Sequence, residues 1–211
     1  MSPFLEIMEN KILDIYPGTK AIIFDLDGTL ADTMPVHFLA YKHILAGYGI
    51  DFTPGLFATM AGIPAVGTIE KINELFGTSM DAAVVGHTKE REYEKLMHNM
   101  KPVEPVVQLM KKYYGKLPMS VGTGGYHRLA WKTMEILGLD KYIDILVSGE
   151  DVTHPKPHPE TFLKCAEKMG IAPEYCHVFE DAELGMQAAK SAGMKATLVT
   201  DFYEVTIGQD L

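Results

Sequence analysis

Cysteine is scarce in this 211-residue chain: only Cys165 and Cys176, with no C-x-x-C spacing. Two unpatterned cysteines give no disulfide framework and suit a reducing compartment. Cys165 falls in a helical pattern with Phe162 and Met169 and reads as a buried thiol. Positive charge is in deficit, with 19 Lys and Arg against 28 Asp and Glu and a formal charge of −9. That balance argues against a nucleic-acid partner and against an anionic membrane surface. No apolar run is long enough to span a bilayer. The N-terminus lacks the basic-then-apolar layout of a signal peptide, so a cytoplasmic location is expected. Internal repeats and low-complexity tracts are absent too. What is present, 47% apolar and 22% charged residues, is ordinary for a compact enzyme. The length suffices for one good core plus a small second unit.

Four segments carry chemistry. Ala21-Ile22-Ile23-Phe24 reads as a buried parallel strand, and Asp25-Leu26-Asp27-Gly28-Thr29-Leu30 follows it. In open α/β sheets ligands bind at the carboxyl ends of strands, and Gly28 lets the chain turn sharply there. Two carboxylates so placed can hold a hard divalent cation and act as nucleophile and acid/base. An ordinary Asp-Gly turn has the same look. Pro118–Thr123 is a second strand-like run, ending in Thr123-Gly124-Gly125 before a helical pattern. A hydroxyl and glycine amides at a helix N-terminus can cradle phosphate, although a plain strand–turn–helix link reads alike. His154-Pro155-Lys156-Pro157-His158-Pro159 is stiffened by its prolines and offers Lys156 as a fixed cation after a strand at 143–148. Cys176–Phe179 leads into Glu180-Asp181 and an Ala-rich helix, where adjacent acids could also be helix caps.

This ordered set, D-x-D-G-T, then a strand-end Thr, then Lys, then Glu-Asp, resembles the haloacid dehalogenase-like superfamily from about Lys20 to Val199. Asp32–His37 and Val178–Gly185 are similar to its β-phosphoglucomutase and sugar-phosphatase branch. The resemblance implies Asp25 as nucleophile and Asp27 as acid/base, with Thr123 and the Gly124 amide on the phosphoryl group and Lys156 balancing its charge. It also implies Mg²⁺ held by Asp25, Glu180, Asp181 and the backbone carbonyl of Asp27. His37 falls where this branch carries a cap-base His, or is a solvated His. Lys95 resembles a substrate-facing Lys, although the charges of Lys89–Lys95 read as a solvated helix face.

The expected fold is α/β: a Rossmann-like parallel core, residues 1–33 and 103–211, with an all-helical cap, 34–102, inserted after the first strand. Strands near 118–123, 143–148, 176–180 and 195–199 alternate with helices near 105–114, 126–138, 159–170 and 182–192. The lead, with Phe4, Leu5, Met8, Ile12 and Leu13, reads as a helix packed on the core. The resemblance points to a phosphatase of a small phosphorylated sugar or related metabolite, a monomer with no nucleic-acid or membrane partner. A phosphosugar mutase is the nearer alternative and a non-enzymatic phospho-acceptor module the farther one. The mutases carry an Arg in a cap loop that here reads Gly62-Ile63-Pro64-Ala65-Val66, without a cation. Where the mutases carry a Lys-Asn pair, Tyr126-His127 stands here.

Overall fold

The computed structural model describes residues 12–60 and 63–203. Most of the expected lead helix lies outside the described residues; of its apolar positions, Ile12 is exposed and Leu13 packs against the core.

The described residues form two compact units: Thr33–Met100, and residues 12–32 together with 101–203. The second of these is built on a five-stranded parallel sheet of order β5-β4-β1-β6-β7. Its strands are β1 (Ala21–Phe24), β4 (Met119–Gly122), β5 (Leu146–Val147), β6 (Cys176–Glu180) and β7 (Lys195–Leu198). β1, β4 and β6 are buried along their whole length, which is why they read as unbroken apolar runs. Alternate residues serve opposite faces. Ile22 and Phe24 enter a cluster with Val106, Met110, Ala130 and Met134, from helices α5 (Glu104–Tyr113) and α6 (His127–Ile136). Ala21 and Ile23 enter another with Phe162, Cys165, Ala188 and Ala189, from α7 (Glu160–Met169) and α8 (Glu183–Ser191). The sheet is thus covered on both faces, as a Rossmann-like fold requires.

A short antiparallel pair, β2 (Ala31–Asp32) with β3 (Lys101–Pro102), joins the chain where it leaves this unit and where it returns. Two residues per strand give no periodicity to read in sequence. The strand expected at 143–148 contracts to Leu146–Val147; Ile143 is buried in the core without joining the ladder.

The other unit is helical: α1 (Met34–Ala46), α2 (Pro54–Ala58), α3 (Ala65–Phe76) and α4 (Ala82–Leu96). Thr53 Oγ1 caps α2 at Leu56 N, and Asp81 caps α4 at Val84 N. Gly77 ends α3 in the left-handed region at φ 64°. This unit has its own core of Phe38, Tyr41, Phe52, Phe57, Ile69 and Ile72.

One core residue sets an acid limit on stability. His177 in β6 is fully buried, its Nδ1 accepting from Tyr16 N at 3.2 Å and its Nε2 2.8 Å from Thr197 Oγ1. Burial, helped by Lys195, lowers its pKa from the usual 6.5 to about 4. Above pH 6.5 the ring is neutral in both folded and unfolded chains. Between 6.5 and 4 only the unfolded chain gains the proton, so stability falls with falling pH. The loss expected is about 3 kcal/mol across that window. Urea unfolding from pH 7 to 4 checks it: the fall should be shallower by about that amount in His177→Gln, which cannot titrate.

Candidate active site

Four loops at the carboxyl ends of β1, β4, β5 and β6 deliver the polar groups. Asp25 still donates its backbone N–H to Phe179 O, at 2.9 Å, so the ladder fixes the first residue after β1. The chain then wraps on itself: the amides of Leu30 and Ala31 converge on Leu26 O at 3.0 and 2.9 Å. Gly28 sits in this wrap at φ 82°, and a Cβ there would lie 2.2 Å from Asp181 Oδ2. Only glycine leaves room for that carboxylate.

Lys156 joins two of the acids. Its Nζ lies 2.7 Å from Asp25 Oδ1 and 2.8 Å from Glu180 Oε2. The side chains are 13%, 7% and 3% exposed, so this ion triad lies largely out of water. Nζ also lies 4.6 Å from the centre of the Phe162 ring. Burial opposes the charge of Lys156, yet Asp25 and Glu180 together hold its pKa above the usual lysine value. Asp25 is raised above the usual carboxylate range by burial and by the Glu180 charge, against the pull of Lys156. Asp181 is raised by burial and by the Asp25 charge.

Asp25, Glu180 and Asp181 each bring a carboxylate oxygen to within 4.8 Å of the others. One ammonium cannot neutralise three carboxylates. An all-oxygen set short of positive charge fits a hard divalent cation such as Mg²⁺. Gly185 makes space for one arm of the set, since a Cβ there would sit 2.0 Å from Glu180 Cδ.

The Asp27 carboxylate reaches the β4 loop, where its Oδ2 lies 3.4 Å from Thr123 Oγ1. Thr123 Oγ1 also accepts from Gly125 N at 3.0 Å. Gly124 is exposed, and a Cβ built there would meet nothing within 4 Å. The first amide of α6 is already engaged: His127 N donates to Glu150 Oε2 at 2.8 Å.

The structure thus brings Asp25, Asp27, Thr123, Lys156, Glu180 and Asp181 to one end of the parallel sheet. Three contributors were not legible in sequence. Gly185 and Glu150 act through space that no local pattern encodes. Tyr203, whose hydroxyl donates to Gly28 O, approaches from 175 residues away.

The helical unit holds the other two candidates. His37 stacks on Tyr93 with ring centroids 4.1 Å apart, and its Nδ1 lies 2.7 Å from Lys89 Nζ. Lys89 is 2% exposed, between the rings of Tyr41 and Tyr93, so it departs from the solvated face expected for Lys89–Lys95. Lys95 does face solvent; its side chain is 72% exposed and pairs with Glu92 at 2.8 Å. The charge run hid one inward-facing cation among outward ones.

A family model described as haloacid dehalogenase-like hydrolase matches residues 22–199, nearly the whole chain. The chain belongs to that family. As a member of the haloacid dehalogenase-like hydrolases it has named relatives on both sides of one chemical divide. It is 38% identical to fructose-1-phosphate phosphatase YqaB of Escherichia coli (strain K12), over 86% of this chain and 97% of that protein. It is 32% identical to β-phosphoglucomutase of Bacillus subtilis (strain 168), over 84% of this chain and 81% of that protein. Among solved structures, β-phosphoglucomutase from Clostridium difficile matches with a TM-score of 0.73 at 24% identity, over 84% of this chain and 83% of that one. At that identity the last likeness speaks for this hydrolase's fold alone. No helix among the described residues is long and apolar enough to cross a membrane.

Proposed function

We propose that this hydrolase is a Mg²⁺-dependent phosphatase that removes phosphate from a small phosphorylated sugar or related metabolite through an aspartyl-phosphate on Asp25. The observation that carries the reading is the buried Lys156 ammonium shared by Asp25 and Glu180, with Asp181 beside them. An Asp25 oxygen beside a fixed positive charge supports the reading, because a phosphate ester needs such a charge before an anion can approach it.

In this reading the Asp25 carboxylate attacks phosphorus and the bond to the sugar oxygen breaks. Asp27 gives its proton to that oxygen. Water then attacks the aspartyl-phosphate while Asp27 takes a proton from it, releasing phosphate and regenerating both acids. Thr123 and the Gly124 amide orient the phosphoryl group, and Lys156 offsets its charge. Asp25, Asp181, the Asp27 carbonyl and Glu180 would hold Mg²⁺, which would offset the charge of the phosphoryl oxygens. The Thr33–Met100 unit, with His37 fixed by Tyr93 and Lys89, is the part proposed to choose the substrate.

A mutase uses the same Asp25 chemistry but must grip a second phosphate. None of the residues from Gly62 to Val66, where the mutases carry an Arg, is a cation. Hydrolysis is therefore the expected outcome. Phosphorus NMR tests it with fructose 1-phosphate and with β-glucose 1-phosphate, each with and without a bisphosphate activator. Free phosphate should appear from the monophosphates without the activator. Efficient conversion of β-glucose 1-phosphate to glucose 6-phosphate, with little free phosphate, would overturn the phosphatase assignment.

A further inference from the structure

The segment that supplies Lys156 presents a different set of groups on its outer side. Lys156 points inward to Asp25 and Glu180, while His154 and His158 on either side of it are exposed. His154 Nδ1 lies 3.2 Å from Glu160 Oε2, and His158 Nδ1 lies 3.3 Å from Glu160 N. The two imidazole rings lean together with centroids 4.6 Å apart. A ligand atom from each of His154, His158 and Glu160 lies within 4.8 Å of the others.

Two features make this more than a chance meeting of side chains. The backbone between the imidazoles is stiffened by Pro155, Pro157 and Pro159, so little conformational freedom remains to be lost on binding. Glu160 is anchored before any ligand arrives. Its carboxylate accepts from Thr153 N and His154 N, both at 3.0 Å, and pairs with Lys164 at 3.0 Å. The Thr153 amide and Lys164 keep it ionised, with its pKa lowered to about 2.

The donor set selects the ion. Two imidazole nitrogens and one carboxylate suit a borderline ion such as Zn²⁺, whereas Mg²⁺ prefers oxygen alone. A tetrahedral ion with bonds near 2.0–2.1 Å needs its ligand atoms about 3.4 Å apart. His154 and Glu160 already satisfy that at 3.2 Å. His158 brings the third ligand atom within 4.8 Å of the other two, and a tetrahedral ion would keep a fourth position for water.

The geometry points to a second cation site on this hydrolase, separate from the carboxylate set, at which His154, His158 and Glu160 bind a divalent ion of the zinc class. The bound ion ties both flanks of Lys156 to the start of α7. The site does not depend on what the enzyme hydrolyses.

Zinc binding to the untagged full chain tests it, by equilibrium dialysis in millimolar Mg²⁺ to occupy the carboxylate set. One zinc that excess Mg²⁺ does not displace is expected. His154→Ala and His158→Ala should each weaken it at least about tenfold, and the double variant should abolish it. Co²⁺ in place of zinc should give visible d–d absorption in the parent and none in the double variant. Thermal unfolding of the variants in Mg²⁺ alone should match the parent, since both side chains are exposed. Absence of retained zinc, or equal zinc affinity in the double variant, would overturn the proposal by leaving the three residues as a helix-start hydrogen-bond cluster only.

Discussion

Asp25→Asn should lose hydrolysis by at least about 10⁴-fold while folding like the parent, as expected for removal of a covalent nucleophile. The amide keeps the shape of the side chain but has no anionic oxygen to attack phosphorus. The fold should tolerate the change for a specific reason. Lys156 keeps Glu180 as a partner at 2.8 Å, so no isolated buried charge is created. One of three crowded carboxylates is also removed, which relieves the repulsion that raises Asp181. Two measurements check the expectation together: phosphate release from a sugar monophosphate, and phosphoprotein formed on brief incubation with radiolabelled substrate and acid quench. The parent should carry label that alkali removes, and Asp25→Asn should carry none. Asp27→Asn should turn over severely slowly as well, because both proton transfers need that carboxyl. A rate near the parent's in Asp25→Asn would sink the covalent mechanism.

Much of this site is legible in the sequence, because a parallel sheet exposes its chemistry at positions the sequence marks. Asp25, Thr123 and Glu180 directly follow or end strands that are buried throughout, and unbroken apolar runs advertise such strands. The residue just past each run therefore lies at the carboxyl edge of the sheet. Lys156 is harder, since β5 is only two residues long and the segment after it is irregular. Its prolines and the resemblance identify it, not periodicity. What stays hidden acts across the chain or against its local pattern. Lys89 sits in a run of charges yet is buried between aromatic rings. Gly28 and Gly185 matter for the volume they leave to Asp181 and Glu180, a requirement visible only once the loops face each other. α2 and the β2–β3 pair are too short to carry a repeat.

Lys156→Met should cost both activity and stability, and the stability loss should depend on pH. Methionine fills much of the lysine stem but leaves Asp25 and Glu180 facing each other with the shared cation gone. Removing one partner of a buried ion group typically costs about 3–5 kcal/mol. Here a carboxylate can escape part of that by taking up a proton. Asp25 is already raised from 3.8 by burial and by Glu180, and losing Lys156, which pulls it down, raises it further. A folded-state pKa above the unfolded value means that the folded chain holds the extra proton. Its stability is therefore retained at low pH and lost as pH rises through that folded value. Lys156→Met should differ little from the parent near pH 5 and fall progressively below it toward pH 8. Mg²⁺ should recover part of the loss, because a divalent cation bound to the same oxygens replaces the missing charge and favours the folded state. Hydrolysis should fall by about 10³-fold even with Mg²⁺ present, since the fixed charge beside the attacking oxygen is gone. Urea unfolding at pH 5.5 and 8, each in chelator and in Mg²⁺, separates these effects. Equal stability of parent and variant at pH 8 in chelator would mean that the Lys156 ammonium does not hold the carboxylates together.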